Sequence, residues 1–203
     1  CRRVRFRSLY LSKNTLKSIA EEQGNIIKAG GSFVINNASI VDNSGKIIAK
    51  NNVVINSKNI YQNALYSDTG IYATNIGLVA DENIENIGGN IVASDVVSLY
   101  SKDGDIKNVK KLSIHENDYH NVFTDVRASG DIVGNKVSIV ANNVENIGAD
   151  IIAKEKIQIG ARENLVIGSL EAIDKKVNDG GRDFVLDEKR TNVGSNLNAK
   201  DIS

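Results

Sequence analysis

Apolar residues along most of this chain stand in short apolar-x-apolar units such as Ile47-x-Ala49, Val53-x-Ile55, Ile91-x-Ala93 and Val137-x-Ile139. Alternation with a period of two marks a strand with one buried face. The intervals between units hold Asn, Asp, Gly and Lys, which turn the chain by tolerating positive φ or by bonding to their own backbone. The units recur at roughly 20-residue intervals. Phe33/Ile35 returns as Val53/Ile55, Val137/Ile139 as Ile157/Ile159, Ile132 as Ile151, and Ile151 as Leu170. Each interval therefore predicts two or three strands of about three to five residues joined by tight corners. Such a turn is one rung of an all-β, right-handed parallel β-helix. Rungs advance by the spacing of hydrogen-bonded strands, so roughly seven of them between Gly24 and Ile173 predict a rod about 35 Å long.

A longer repeat overlies the short one. Residues Glu82 to Ala93, reading ENIENIGGNIVA, return as Asn142 to Ala153, reading NNVENIGADIIA. Val97 and Leu99 have counterparts at the same offset in Ile157 and Ile159. Three short turns are expected in each long repeat, and repetition on this scale is the signature of a stacked solenoid.

Composition narrows the reading further. The chain has 203 residues, with 26 Ile, 26 Asn, no Pro, no Trp and no Met. Branched Ile suits an interior stacked on a pleated surface, Asn suits corners, and Pro would remove a ladder bond from any strand it entered. Asn at a recurring phase also predicts side-chain ladders running up the stack. Lys and Arg total 25 and balance 25 Asp and Glu, which argues against a nucleic-acid surface or an anionic membrane surface. No apolar run is long enough to cross a bilayer, so no membrane insertion is expected.

Four stretches break the rhythm. Residues 1–22 begin with a basic CRRVRFR, and Leu16, Ile19 and Ala20 then fall at helical spacing, so a short helix covering the open end of the rod is expected there. Residues 107–129 predict a protruding hairpin with strands Leu112–Glu116 and Asn121–Val126. Residues 174–193 are charged and contain Gly180-Gly181, which predicts a loop or hairpin leaving the rod. Residues 194–203 resemble Gly168 to Ala172 and predict a further rung. Cys1, in a chain without Met, points to a piece of a longer or processed protein. Arg2 and Arg3 disfavour a lipoprotein start.

Candidate chemistry is sparse. His115, Glu116, Asp118, Tyr119 and His120 could contribute to a metal site, which needs three or four converging ligands, but their spacing matches no known motif. An exposed polar loop is the simpler reading. Asp103/Asp105, Asp125/Arg127 and Asp150/Lys154 are candidate lyase or hydrolase groups, but their places beside Gly or Asn read instead as rung corners. Gly30-Gly31 and Gly88-Gly89 lack the partners of a phosphate loop, and the Gly- and Asp-rich nonapeptide of calcium-binding turns is missing. No catalytic, cofactor-binding or metal residue is assigned, and no cofactor and no enzymatic activity are expected.

The segments NVENIGADIIAKEKIQIGARENLVIGSLEAID, NIENIGGNIVASDVVSL, DNSGKIIAKNNVVINSKNIYQN and VGSNLNAKDI resemble the haemagglutinin repeats of filamentous-haemagglutinin-like exoproteins. That family includes adhesins and contact-dependent growth-inhibition proteins of Gram-negative bacteria. The resemblance covers about Gly24 to Ile173 and resumes at Gly194. It implies a secreted rod at the bacterial cell surface, exported by an outer-membrane two-partner transporter that acts through a region not recognisable here. The expected partners are neighbouring rungs of the parent chain and a host or bacterial cell-surface receptor. The expected function is a structural, adhesive rod. The alternatives are an inert stalk of a growth-inhibition toxin-delivery protein and a β-helix polysaccharide lyase or hydrolase.

Overall fold

The computed structural model describes residues 25–64, 68–118, 120–178 and 184–203. The expected helix over residues 1–22 lies outside the described residues. Everything described is strand or connection. Parallel strands stack about 21 residues apart into a β-solenoid of about 7 turns, with no helix among the described residues.

The rod has three faces. On the first, β1 (Ile26–Ala29), β3 (Lys46–Ala49), β5 (Gly70–Ala73) and β8 (Asn90–Ala93) lie in parallel register, followed by the starts of β13 (Ile132–Ile147) and β14 (Ile151–Gly168) and by β17 (Leu197–Asn198). The second face stacks the start of β2 (Phe33–Asn43), the start of β4 (Asn52–Asn63), β6 (Asn75–Ala80), β9 (Val96–Ser101), the middles of β13 and β14, and β18 (Asp201–Ile202). The third stacks the ends of β2 and β4, then β7 (Ile84–Ile87), β10 (Ile106–Val109) and the ends of β13 and β14. Strands β13 and β14 run continuously round the corners for 16 and 18 residues, longer than the short strands expected.

In-register parallel stacking sets like above like. Ile27, Ile47, Ile71, Ile91, Ile132, Ile151 and Leu197 form one inward column. Ile35, Ile55, Leu78, Leu99, Ile139 and Ile159 form another, with Ile139 paired to Ile159 as the short period predicts. Ile55, Leu78, Ile91, Ile132, Ile151 and Ile157 expose 0% of their surface. Each such burial stabilises the fold by about 1.5–3 kcal/mol.

One inward column is polar. Asn43, Gln62, Asn86, Asn108 and Asn146 stack on the third face, and Ile167 follows them. Asn43 Nδ2 donates to Gln62 Oε1 at 2.6 Å, Asn86 Nδ2 to Asn108 Oδ1 at 2.7 Å, and Asn108 Nδ2 to Asn146 Oδ1 at 2.6 Å. Asn146 Nδ2 then donates to Ala149 O at 2.7 Å, and Asn86 Nδ2 likewise to Gly89 O at 2.6 Å. Asn ladders were expected, and their site is the interior as well as the corners.

The spacing expected between Ile151 and Leu170 does not survive folding. Ile151 pairs with Leu197, because Leu170 opens a strand that leaves the rod. The long repeat is two rungs with a hairpin between them, since β7, β10 and the end of β13 are successive neighbours in the stack. The inserted hairpin supplies the length that three turns were expected to fill.

Candidate recognition surface

Insertions gather at one corner, where the third face passes into the first. The turns alternate there. Asn43 to Gly45, Gly88-Gly89 and Gly148-Ala149 close it tightly, with φ of 72° at Gly88 and 68° at Gly148, a region open to Gly. Between them, residues 64–69, 110–130 and 169–196 make longer connections.

The second connection is a hairpin of β11 (Lys111–Glu116) and β12 (Val122–Ala128), close to the protrusion expected. Residues 107–109, expected within the excursion, lie in β10 on the rod. The third connection is a hairpin of β15 (Leu170–Asn178) and β16 (Phe184–Val193). It begins at Leu170, so residues 170–173 belong to the hairpin and not to a rung.

The two hairpins join into one antiparallel sheet in the order β11-β12-β15-β16. Geometry explains the joining. Two rungs advance the rod by about 9.6 Å, the width of two strands, so hairpins inserted at every second turn meet edge to edge. The seam has one backbone pair, Val122 with Lys175, and side chains reinforce it. Thr124 Oγ1 donates to Ile173 O at 2.7 Å and accepts from Ile173 N–H at 3.0 Å. Asp174 Oδ1 accepts from Thr124 N–H at 3.1 Å, and Asn121 Oδ1 from Val177 N–H at 2.8 Å. At the root, Lys111 Nζ donates to Ala64 O at 2.7 Å and Asn63 Oδ1 at 3.2 Å, tying this sheet to the preceding long connection.

Ile114, Phe123 and Val126 of the side sheet expose 67%, 46% and 39% of their surface. A groove of about 460 Å³ runs across the seam, lined by Phe123, Thr124, Asp174, Lys176, Asp187 and Lys189 among others. An apolar ring amid charged side chains of both signs is chemistry for contact. Beside the groove, Arg190 bonds Glu188 at 2.6 Å and Glu171 at 3.2 Å, and these carboxylates raise its pKa above the ordinary value.

The candidates read from sequence do not converge. Glu116 and His120 meet at 2.8 Å beside the exposed turn of the first hairpin, where Asn117 Oδ1 accepts the Asn121 N–H. His115 lies on β11 opposite Phe123, and Tyr119 lies outside the described residues. Among the described residues, no three His, Cys, Asp or Glu side chains gather as for a metal ion. Asp105 and Asp150 are corner ties. Asp105 Oδ1 accepts from Asn143 N–H at 3.1 Å and Asp150 Oδ1 from Asn196 N–H at 3.0 Å, each on the following rung. Asp103 is exposed beside Lys102, Lys154 is exposed on β14, and Asp125 lies opposite Ser113 in the side sheet.

The groove residues escape sequence reasoning because they come from excursions about 50 residues apart, and nothing local announces that the two will pair. No helix of the described chain is long and apolar enough to cross a membrane. No protein-family model, curated protein or solved structure matches the chain.

Proposed function

We propose that this chain is a structural and adhesive rod segment of a large, secreted, haemagglutinin-like bacterial exoprotein, and that the side sheet is its contact surface. The observation that carries the reading is the confinement of the long connections to one corner at every second turn. Solenoids keep their core uniform and place variation where it can meet a partner. Here the uniform part is the aliphatic column, and the variable part presents Ile114, Phe123 and the charged groove to solvent. In this reading the rod stands outside the cell after two-partner export, with neighbouring rungs of a parent chain along its axis. A host or bacterial surface receptor meets the side sheet.

The test replaces residues 110–130 by Gly-Ala, copying the tight corner at Gly148-Ala149, and measures binding of the labelled full chain to epithelial and bacterial cells. The β spectrum should persist while binding falls at least tenfold. Equal binding by both proteins would sink the adhesive role and leave the stalk of a growth-inhibition system as the better account.

A further inference from the structure

We infer that the outer strand of the side sheet, β16, pairs with β16 of a second copy, joining two rods through one continuous eight-stranded antiparallel sheet. Strand β16 is 10 residues long, with a bulge between Val185 and Asp187, and among the described residues it pairs with β15 alone. Among the described strands it ends the order β11-β12-β15-β16, and a strand at the end of a sheet is a template for strand addition.

Symmetry restricts which register can form. Two identical antiparallel strands are related by a twofold axis perpendicular to the sheet, so residues facing each other must point to the same side. Positions that are an even number apart therefore meet. The register centred on Glu188 sets Asp187 against Lys189 of the second copy, twice.

The inner pairing makes that register selective. Within one copy, Asp174 lies opposite Lys189 and Lys176 opposite Asp187, all on the side that carries Phe123. Across the seam the row becomes Asp174, Lys189, Asp187 of the second copy and Lys176 of the second copy, alternating negative and positive throughout. Its symmetry mate reads the same in reverse. Opposite charges facing each other across strands stabilise a pair, and like charges destabilise it. On the other side Glu188 meets its own copy, but each is already bonded to Arg190 at 2.6 Å, which offsets that repulsion. The next even register, centred on Lys189, would set Lys189 against Lys189 on the Phe123 side and lose the alternation. Charges on an edge strand deter general aggregation, and this arrangement of them admits the chain's own copy.

The twofold also places the two rods at opposite ends of the shared strands, because both hairpins spring from the rod. An edge of this length is a small interface, so association should be weak and concentration-dependent.

Sedimentation velocity of the full chain over about 1 to 500 µM at low salt should show a monomer–dimer equilibrium that weakens with added salt. Asp187→Lys and Lys189→Asp should each weaken the dimer about tenfold, since each turns two attractive contacts into repulsive ones. The double variant Asp187→Lys/Lys189→Asp again sets opposite charges against each other across the seam, while placing like charges opposite Asp174 and Lys176 within each copy, and should regain part of the affinity lost by either single change. Monomer at every concentration would overturn the inference, as would a double variant no better than the worse single one. Dimers insensitive to all three changes would place any self-association elsewhere and equally overturn it. Circular dichroism of each variant confirms that the rod is folded.

Discussion

Gly89 and Ala149 occupy the same corner position two rungs apart, each two residues before an Ile of the first inward column. The ladder residues beside these two corners differ, Gln62 below Asn86 and Asn108 below Asn146. A Cβ on Gly89 would overlap Gln62 Cγ and come within 2.8 Å of Asn86 Oδ1, whereas the ladder residue below Asn146 is the shorter Asn108. Gly89→Ala should therefore cost about 1–3 kcal/mol as an overpacked site. Gln62→Asn should recover much of that loss in the double variant, read as coupling in a urea-unfolding cycle. Strict additivity would contradict the argument. The same column predicts a larger effect at Asn108, which is 2% exposed and both accepts from Asn86 and donates to Asn146. Asn108→Leu leaves buried groups on both neighbours without that partner and should cost about 2–4 kcal/mol. Gln62→Leu should cost less. Gln62 Nε2 and Asn86 Oδ1 are the donor and acceptor that the ladder's direction would pair, yet neither bonds a protein group among the described residues. The substitution therefore breaks fewer bonds. Similar midpoints for the two leucine variants in urea would refute this ordering.

At the scale of elements, the seam of the side sheet has a single backbone pair, and Thr124 is where its side-chain bonds concentrate. Its hydroxyl serves Ile173 as both donor and acceptor, standing in for a ladder bond that the seam lacks. Thr124→Val keeps the shape and removes both bonds, at about 1–2 kcal/mol. Hydrogen exchange should quicken in β12, β15 and β16 while protection in β6, β9 and β13 stays unchanged, and faster exchange throughout the rod would refute a seam-limited role. How much of this was legible follows from range. Ile139 over Ile159 was legible because the period survives undisturbed between them. The interior Asn ladder was not, although a signal existed: Ile84-x-Asn86, Ile106-x-Asn108 and Val144-x-Asn146 repeat the inward alternation with Asn in the second inward place. Asn reads by default as a corner residue, and only register shows it pointing in. Both excursions were legible as breaks in rhythm. Their union was not, because strand pairing between β12 and β15 depends on the rod bringing two distant corners within a strand's width.

At the scale of the whole molecule, stability is a sum over rungs and the contacts between them, so corner ties repeated up the rod act on it together. Among them are carboxylates held ionised. Glu82 lies below its ordinary pKa of 4.5, chiefly because Asn59 Nδ2 donates to it at 2.8 Å, with Lys58 Nζ at 3.0 Å adding to the effect. Glu155 is lowered in the same direction, first by a hydrogen bond from Asn135 and then by Lys136 at 3.4 Å. Both groups bind a proton less readily folded than unfolded. Their stabilisation is therefore fully present above the unfolded carboxylate pKa and is lost as pH falls through the lower folded value. The two ties join different pairs of rungs, β4 with the turn after β6 and β13 with β14, so acid loosens the stack at more than one level. The thermal midpoint should be flat near neutrality and should fall once pH drops below about 4.5. Glu82→Gln/Glu155→Gln should lower the midpoint at pH 7, where the ionised groups contribute, and should narrow the gap between pH 7 and pH 3. Because both side chains are solvent-exposed, salt should diminish the difference. A variant with the same midpoint as the parent at pH 7 and the same acid slope would remove these corner carboxylates from the account of how the rungs hold together.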